Sequence, residues 1–212
     1  MNIIFPLIET FSPLIPLVTY LLAKPVRQKW VTTLIIYSAV YIPFVGYANY
    51  LQLLVIPNIV IYVFITIITF CSFSLIISFF LNHRVFSFIN YIAISVVTLF
   101  SIANALWWEK LELYNSNSSS LSCIILIVYC LYYYWKQVKE PKELFIYRQP
   151  SFWMVTGIFI YCGGNFFLFT NYRELCLQKN WVFAELIWIV ADFLILFTNI
   201  FFARAIQCIR RK

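Results

Sequence analysis

Long apolar segments separated by short polar ones constrain this chain more than any other feature of its sequence. An α-helix needs about 20 apolar residues to cross the roughly 30 Å of hydrocarbon in a bilayer. The segments are too long and too evenly apolar to be strands of a membrane barrel, in which polarity alternates over about 10 residues. We therefore predict an all-α integral membrane protein, a seven-transmembrane-helix bundle that forms a single domain over residues 1–212. The predicted spans cover about 3–23, 30–51, 57–81, 85–107, 120–136, 151–170 and 181–203.

The composition supports the same class of protein. Hydrophobic residues make up 63% of the chain and charged residues 11%, and the mean hydropathy is +0.87. Soluble domains are closer to about 45–50% apolar and about 25% charged. The seven segments use nearly the whole chain and leave no room for a separate soluble domain. A nucleic-acid partner would need a basic face on such a domain, so we expect the lipid bilayer, and no nucleic acid, as a partner.

The distribution of basic residues predicts the orientation in the membrane. All but three of the 15 lysines and arginines lie at one set of segment ends, the exceptions being Lys110, Arg173 and Lys179. Cytoplasmic ends of membrane helices carry the excess of basic residues. We therefore expect the N-terminus outside and the C-terminus in the cytoplasm. Tryptophan favours membrane interfaces, and six of the seven tryptophans lie at predicted span ends.

Three prolines, Pro6, Pro13 and Pro16, interrupt the first segment. Each removes a backbone donor and crowds the preceding turn, so we expect a kinked helix. No basic residue precedes this segment and no small-residue cleavage site follows it. We therefore interpret it as a retained span rather than a signal peptide.

Several kinds of catalytic and cofactor site are excluded by the residues that the sequence lacks. His83 is the single histidine, so a zinc centre with several histidine ligands cannot form. No lysine lies inside a predicted span, which excludes a retinal Schiff base, and the six cysteines contain no CxxC pair. The sequence also has no phosphate-binding glycine loop and no serine elbow. We predict a non-enzymatic protein with no catalytic residues, no cofactor and no metal site.

Three acidic residues, Glu9, Glu185 and Asp192, lie inside predicted spans. An ionisable group in hydrocarbon is costly when it is charged and exposed, so it usually faces the interior of the bundle. Glu185, Asp192 and Asn199 are seven residues apart and share one stripe of the last helix. This stripe fits hydrogen bonds that hold helices together. It also fits a site for a ligand, an ion or a proton.

The intramembrane polar groups concentrate toward the outer side of the predicted bundle. At about 1.5 Å per residue, Glu9, Glu185 and Asn165 lie within roughly 10 Å of the outer surface. Asn104 belongs to an outer helix end. We predict that these residues and Asp192 form a polar pocket open to the outside. Because no basic residue shares the hydrocarbon with them, we expect the carboxyl groups to be protonated or to hold a cation.

Glycine is rare in this chain but concentrated in the sixth segment. Three of the four glycines lie within Phe152–Phe169, and Gly157 and Gly164 are seven residues apart. Small residues on one stripe let two membrane helices approach closely. We predict a close helix contact at Gly157 and Gly164, with Asn165 about a quarter-turn away on a polar face.

Three polar or basic connections stand out. The polar sequence Asn115–Ser120 is predicted to form an outer turn. Residues 136–150 form the longest inner loop, and residues 204–212 form a basic tail. We expect these two cytoplasmic segments to contact a protein partner or the membrane surface.

The sequence PSFWMVTGIFIYCGGNFFLF, residues 150–169, resembles a pattern found in small uncharacterised seven-span membrane proteins of Gram-negative bacteria. That pattern reads P-x-FW-x3-G-x2-IY-x2-GN-x-FLF. The similarity extends more weakly over the second half of the chain. Such proteins are similar in layout to membrane sensor modules, and some accompany histidine-kinase systems. The resemblance implies a location in the bacterial inner membrane and a role in signalling, and it brings no established activity.

Three kinds of function follow from these features. In the first, a receptor-like sensor or signalling module binds a small molecule or partner in the outer pocket, and the basic cytoplasmic face relays the signal. The second is an oligomeric membrane effector, pore or channel subunit, for example one accessory to a bacterial defence system. The third, an integral-membrane enzyme, is disfavoured by the missing histidines and nucleophile motifs. A symmetric homo-oligomer with the acidic stripe on its axis would favour the second, and a monomer would favour the first.

The predicted orientation can be tested with two native cysteines. Cys176 lies at an outer end and Cys208 in the cytoplasmic tail. In right-side-out vesicles, an impermeant thiol reagent should therefore label a variant that keeps Cys176 alone and spare one that keeps Cys208 alone. The mass shift of each purified variant reports the labelling. Labelling of the Cys208 variant alone would show the opposite orientation.

Overall fold

The structure, a computed structural model, describes residues 4–109, 115–141 and 145–209, and in these ranges the regular structure is entirely helical. A π-helical turn, Asn104–Trp108, continues the fifth α-helix, and a short 3-10 turn, Ile146–Arg148, precedes the seventh. In chain order the α-helices are α1 (Ile4–Phe11), α2 (Leu14–Ala23), α3 (Lys29–Leu53), α4 (Ile59–Leu81), α5 (Arg84–Ala103), α6 (Ser116–Lys139), α7 (Pro150–Leu177) and α8 (Trp181–Gln207).

Seven helical segments of the described chain are long and apolar enough to span a membrane. Helices α1 and α2 together form the first, Pro6–Ala23, and α5 with the π-helical turn forms the fourth. Large apolar side chains on the outward faces are exposed, including Leu22, Phe88 and Phe167, each at least 66% accessible. Soluble monomers rarely expose apolar patches larger than a few hundred Å². The prediction of an all-helical chain with seven such segments is confirmed, and these segments indicate a multi-pass membrane protein.

Successive spans run in opposite directions, as hydrogen bonds at the two ends of the bundle show. At one end, Asn49 Nδ2 donates to the Pro6 carbonyl at 3.1 Å, and the Ser120 and Thr170 hydroxyls lie 3.1 Å apart. At the other end, Lys136 Nζ donates to the Leu81 carbonyl at 3.1 Å. We call these the N-terminal end and the opposite end of the bundle.

The first span bends at one of its three prolines. Helix α1 ends at Phe11 and α2 begins at Leu14, so the break lies at Ser12 and Pro13. Pro6 and Pro16 instead lie in the first turns of α1 and α2. Backbone N–H groups in a first turn have no intrahelical partner, so a proline there removes no hydrogen bond. The expected kink is present, and Pro13 is the proline at which it occurs.

Several helices extend beyond the limits that the sequence predicts, and α6 and α7 are the clearest cases. Helix α6 begins at Ser116 rather than near residue 120, so most of the expected outer turn Asn115–Ser120 is helical. The Ser122 hydroxyl donates to the Ser118 carbonyl at 2.7 Å, one turn earlier. Helix α7 continues to Leu177 because no glycine or proline follows Gly164 to interrupt it. Polar residues therefore mark where an apolar segment ends, but the helix itself can continue through them.

The centre of the bundle is an aromatic cluster around Phe73 of α4. Its ring centroid lies 5.2 Å from that of Tyr37 in α3, 5.7 Å from Tyr161 in α7 and 5.6 Å from Phe202 in α8. Aromatic pairs at these separations contribute about 0.5–1.5 kcal/mol each beyond the area they bury. Phe73 and Phe202 are fully buried. This cluster holds α4 against three other helices and fills the middle of the bundle.

Helices α7 and α8 pack closely along the two predicted glycines. A Cβ at Gly157 would lie 3.0 Å from Phe201 Cβ and 3.4 Å from the backbone oxygen of Thr198. The Thr198 hydroxyl also contacts the Gly157 carbonyl at 3.2 Å. At Gly164 an added Cβ would collide with the side chain of Leu194. The structure thus places both glycines in one helix contact, which is where the sequence predicts it.

We expect Gly157→Ala to lower the free energy of unfolding by about 1–3 kcal/mol, because the added methyl group meets the base of Phe201 and the backbone of α8. The matched control is Gly163→Ala, since a Cβ there has no neighbouring atom within 4 Å. In the control, alanine should stabilise the helix by up to about 1 kcal/mol. Thermal unfolding in detergent measures both variants. Equal effects at the two positions would contradict the close contact.

Candidate functional site

A cavity of about 50 Å³ lies inside the bundle, in the half nearest to the N-terminal end. Six helices line it: α1, α3, α4, α6, α7 and α8. Small side chains on two of them, Ala191 of α8 and Ser122 of α6, leave the space unfilled. A cavity of this size holds a few water molecules or a small polar species.

Two carboxyl groups from different helices line the cavity. Glu9 of α1 is 8% exposed and Asp192 of α8 is 5% exposed. The two groups interact electrostatically, and the Tyr41 hydroxyl donates to Glu9 Oε1 at 3.3 Å. Among the described residues, no lysine, arginine or histidine lines the cavity. A negative charge on either carboxyl group must therefore be balanced by a proton or by a cation that enters the cavity.

Asn165 of α7 also lines the cavity, and its side chain is fully buried. Within the part of the chain that the structure describes, neither its amide nitrogen nor its amide oxygen has a hydrogen-bond partner. A buried polar group without a partner costs about 1–3 kcal/mol, so buried amides are normally paired. The Asn165 amide therefore offers one free acceptor and two free donors to whatever occupies the cavity.

The remaining walls combine aromatic rings with hydroxyl groups. The Trp188 ring of α8 lies 5.4 Å from that of Tyr62 and 6.2 Å from that of Phe169, and all three residues line the cavity. On the side of α4 and α6, the Thr66 and Ser119 hydroxyls lie 3.3 Å apart. The cavity is therefore polar at a few defined positions and aromatic elsewhere, which is typical of small-molecule sites.

Comparisons with known proteins add no family to this description. No protein-family model, no curated protein and no solved structure matches the chain. The resemblance of residues 150–169 to seven-span proteins of Gram-negative bacteria therefore stays a prediction. The description of the site rests on its own geometry.

The structure brings together three of the five residues predicted to form the pocket, namely Glu9, Asn165 and Asp192. Asn104, although buried, lies in a separate polar cluster where the π-helical turn ends. There its amide nitrogen donates to a carboxyl oxygen of Glu109 and, at 3.0 Å, to Asn115 Oδ1. The prediction that Asn104 lines the pocket is therefore wrong, because its hydrogen-bond partners lie in the connection from α5 to α6.

Glu185 is the second correction, because its side chain is exposed rather than directed into the cavity. It precedes Asp192 by one heptad, and an α-helix drifts by about 20° per heptad relative to a strict seven-residue repeat. The drift moves Glu185 away from the buried face, which is marked at this level by Ala184. Its neighbours Val182 and Leu186 are also exposed. Equal spacing along the chain therefore does not give Glu185 the same surroundings as Asp192.

Asn199, the third member of the predicted acidic stripe, has a structural role. Its amide nitrogen donates to Ser12 Oγ at 3.0 Å and to the Ile195 carbonyl at 2.9 Å. Ser12 lies at the break between α1 and α2. Asn199 thus ties α8 to the bend of the first span, and Glu9 lies one turn before that bend.

Sequence reasoning missed several residues that line the cavity. Tyr41 and Tyr62 lie in evenly apolar segments, where nothing in the local sequence separates an interior tyrosine from one that faces lipid. Ser119 and Ser122 were assigned to an outer turn and its edge, although their three-residue spacing fits one face of a helix. Glu109, which lies in the Asn104 cluster and not at the cavity, was left out because it follows the predicted span.

The two buried asparagines of α7 and α8 allow a matched test of the site. Asn199→Leu removes two hydrogen bonds and should lower the free energy of unfolding by about 1–3 kcal/mol. Asn165→Leu removes no protein hydrogen bond, so it should leave the melting temperature unchanged or raise it. Thermal unfolding of the purified variants measures the difference. A loss at Asn165 as large as that at Asn199 would mean that its amide holds the fold together.

Proposed function

We propose that this protein is a non-enzymatic, receptor-like sensor of the bacterial inner membrane. Its cavity faces the outside and binds a small polar ligand, and its basic cytoplasmic face relays the occupancy of the cavity to a protein partner. The bacterial location follows from the resemblance of residues 150–169. The other parts of the proposal rest on the geometry of the bundle.

One observation carries the proposal: the Asn165 amide is fully buried, lines the cavity and has no partner. The Asn199 amide, which joins α8 to the first span, uses its nitrogen in two hydrogen bonds, whereas neither atom of the Asn165 amide has one among the described residues. Together with the carboxyl groups of Glu9 and Asp192, it forms a polar site that the fold itself leaves unfilled. Such an arrangement is suited to binding and has no evident part in assembly.

The charge distribution supports the proposed orientation. Among the described residues, Lys29, Arg84, Lys136, Lys139 and Arg204 lie at helix ends on the side opposite to the cavity. An excess of basic residues marks the cytoplasmic side of a membrane protein. With that side inward, the N-terminal end and the cavity near it face outward.

The contact between α7 and α8 provides a route from the cavity to the cytoplasmic segments. Both helices line the cavity in one half, and in the other the Trp153 ring of α7 lies 5.5 Å from the Phe201 ring of α8. Trp153 Nε1 donates to the Tyr147 carbonyl at 2.7 Å, and the Arg204 guanidinium lies 5.8 Å from the Trp153 ring. A small shift of α7 against α8 would therefore reach both proposed partner segments, 136–150 and 204–212. Residues 142–144 and 210–212 of these segments lie outside the described part of the chain.

The shape of the interior favours a sensor over a pore through one chain. Beyond the cavity, toward the opposite end, the bundle is filled by the fully buried rings of Phe73 and Phe202 and by Tyr37, which is 1% exposed. The next polar side chains of α8 along this direction are Thr198, whose hydroxyl donates to the Gly157 carbonyl, and Asn199, which is bonded to Ser12. The polar groups of the cavity thus end within the bundle and do not continue as a path to the opposite end.

Accessibility of Asn165 from the outside tests the proposal directly. In a variant whose six native cysteines are replaced by alanine, Asn165→Cys should react with a small impermeant thiol reagent added to right-side-out vesicles. The matched control is Ile158→Cys, which is also fully buried in α7 but lies outside the cavity lining, and which should not react. Mass spectrometry of the purified variants reports the labelling.

Two results would contradict the sensor. If Asn165→Cys reacted only in inverted vesicles, the cavity would open to the cytoplasm. If proteoliposomes of the purified protein conducted ions, and Asp192→Asn abolished the conductance, the oligomeric pore would be the better description. A monomer without conductance supports the sensor.

A further inference from the structure

We propose that the cavity binds a small ammonium cation, either ammonium itself or a short primary alkylammonium such as methylammonium. This inference rests on the proposed function and gives its ligand a chemical class. The observations that carry it are the placement of two carboxyl groups and an unpartnered amide in one cavity with an aromatic wall.

The charge of the lining requires a cation or protons. Glu9 and Asp192 are both more than nine-tenths buried, and no basic side chain of the described ranges lines the cavity with them. An ionised carboxylate that is removed from water needs a paired charge or a proton. A cation in the cavity would contact both carboxylates at once and remove their mutual repulsion.

The hydrogen-bonding groups of the cavity match an ammonium group. Such a group has three or four N–H donors and no acceptor. The carboxylate oxygens of Glu9 and Asp192 accept hydrogen bonds, and so does the Asn165 oxygen, which has no partner in the protein. These acceptors come from α1, α7 and α8, so the ligand would contact them from three directions.

The aromatic wall distinguishes an ammonium cation from a hydrated metal ion. The Trp188 indole and the Tyr62 ring both line the cavity, with ring centroids 5.4 Å apart. Aromatic faces attract cations, and the attraction is strongest when the cation is desolvated. Indole is the strongest of these rings, and methylated ammonium groups are common partners of such walls. The methyl group of methylammonium would lie against this wall while the N–H groups face the carboxylates.

The ligand set is poor for divalent metals. Calcium takes six to eight oxygen ligands, and magnesium requires nearly ideal octahedral geometry. In the described part of the chain, no group of three or more histidine, cysteine, aspartate or glutamate side chains is placed to hold a metal ion. Two carboxyl groups and one amide offer fewer oxygens than calcium takes, and the cavity has little room for the several waters that magnesium keeps, whereas these groups suffice for one ammonium group. The volume of about 50 Å³ also suits a ligand of a few heavy atoms.

Direct binding of radiolabelled methylammonium to the purified full chain tests the inference. Equilibrium dialysis at constant ionic strength should give one saturable site, and unlabelled ammonium chloride should compete for it. At ten times its dissociation constant, methylammonium should also raise the melting temperature by about 3–6 °C. Unlabelled ammonium and unlabelled methylammonium are compared as competitors, and the stronger competitor is the cation that the cavity prefers.

Matched carboxyl variants identify the site. Glu9→Gln and Asp192→Asn keep the size of the side chain but remove its charge, so each should weaken methylammonium binding by about tenfold or more. The control is Glu185→Gln, because Glu185 lies on the same helix as Asp192 but is exposed. This variant should bind methylammonium as tightly as the unaltered protein does. Equal weakening by all three substitutions would place the binding on the general surface charge and would overturn the inference.

Two further outcomes would also overturn it. If potassium or sodium chloride competed as well as ammonium chloride, the cavity would take any monovalent cation. If methylammonium did not bind at all while Asn165→Cys was labelled from outside, the cavity would be an outward pocket for another ligand class. In that last case the proposed sensor function still holds, and only the proposal that its ligand is an ammonium cation is wrong. When neither binding nor outside labelling is observed, the proposed function fails as well.

Discussion

The close contact between α7 and α8 places two polar groups of the cavity, Asn165 and Asp192, side by side. Membrane helices have little hydrophobic drive to associate, because lipid is as apolar as their side chains, so close backbone packing has to supply it. Gly157 and Gly164 provide that packing, and the Thr198 hydroxyl reinforces it at the Gly157 carbonyl. Asn165 follows Gly164 directly, so the contact that joins the two helices also sets the amide facing the same cavity as Asp192 of α8.

The first span supplies the other half of the site through its bend. Pro13 interrupts the helix, and Asn199 of α8 holds the bend through Ser12. Glu9 lies one turn before this bend, and the Tyr41 hydroxyl of α3 fixes its carboxyl group. Glu9 and Asp192 line the same cavity because α8 packs against the first span. Asn165 joins them there because α8 also packs against α7. Asp192 and Asn199 of α8 are one heptad apart but have different roles. Asp192 lines the cavity, and Asn199 holds α8 to the first span.

Sequence reasoning recovered the spans but only part of the site. The spans depend on the length of apolar segments, which is a local property of the chain. The glycine contact was also readable, because glycine is rare here and its spacing matches one helix face. The placement of Glu185 in the pocket was wrong. Its heptad spacing from Asp192 suggested that both side chains face the cavity, but the helix drifts between the two positions and Glu185 lies near the end of α8, where it is exposed. Tyr41 and Tyr62 were missed, because a membrane helix is apolar on all sides and its pattern does not reveal which face is interior.

By itself, the sequence determined that the chain has seven helical segments long and apolar enough to span a membrane, and at which segment ends its basic residues collect. These properties depend on the cost of polar groups in hydrocarbon, and each segment meets that cost on its own. The tertiary structure alone decided that Glu9, Asn165 and Asp192 meet in one cavity, that Asn104 joins a different cluster and that Glu185 faces outward. Those outcomes depend on how far each helix is rotated about its axis and which neighbours it contacts. Rotation and contact are set by packing between residues far apart in the chain, such as Ser12 and Asn199.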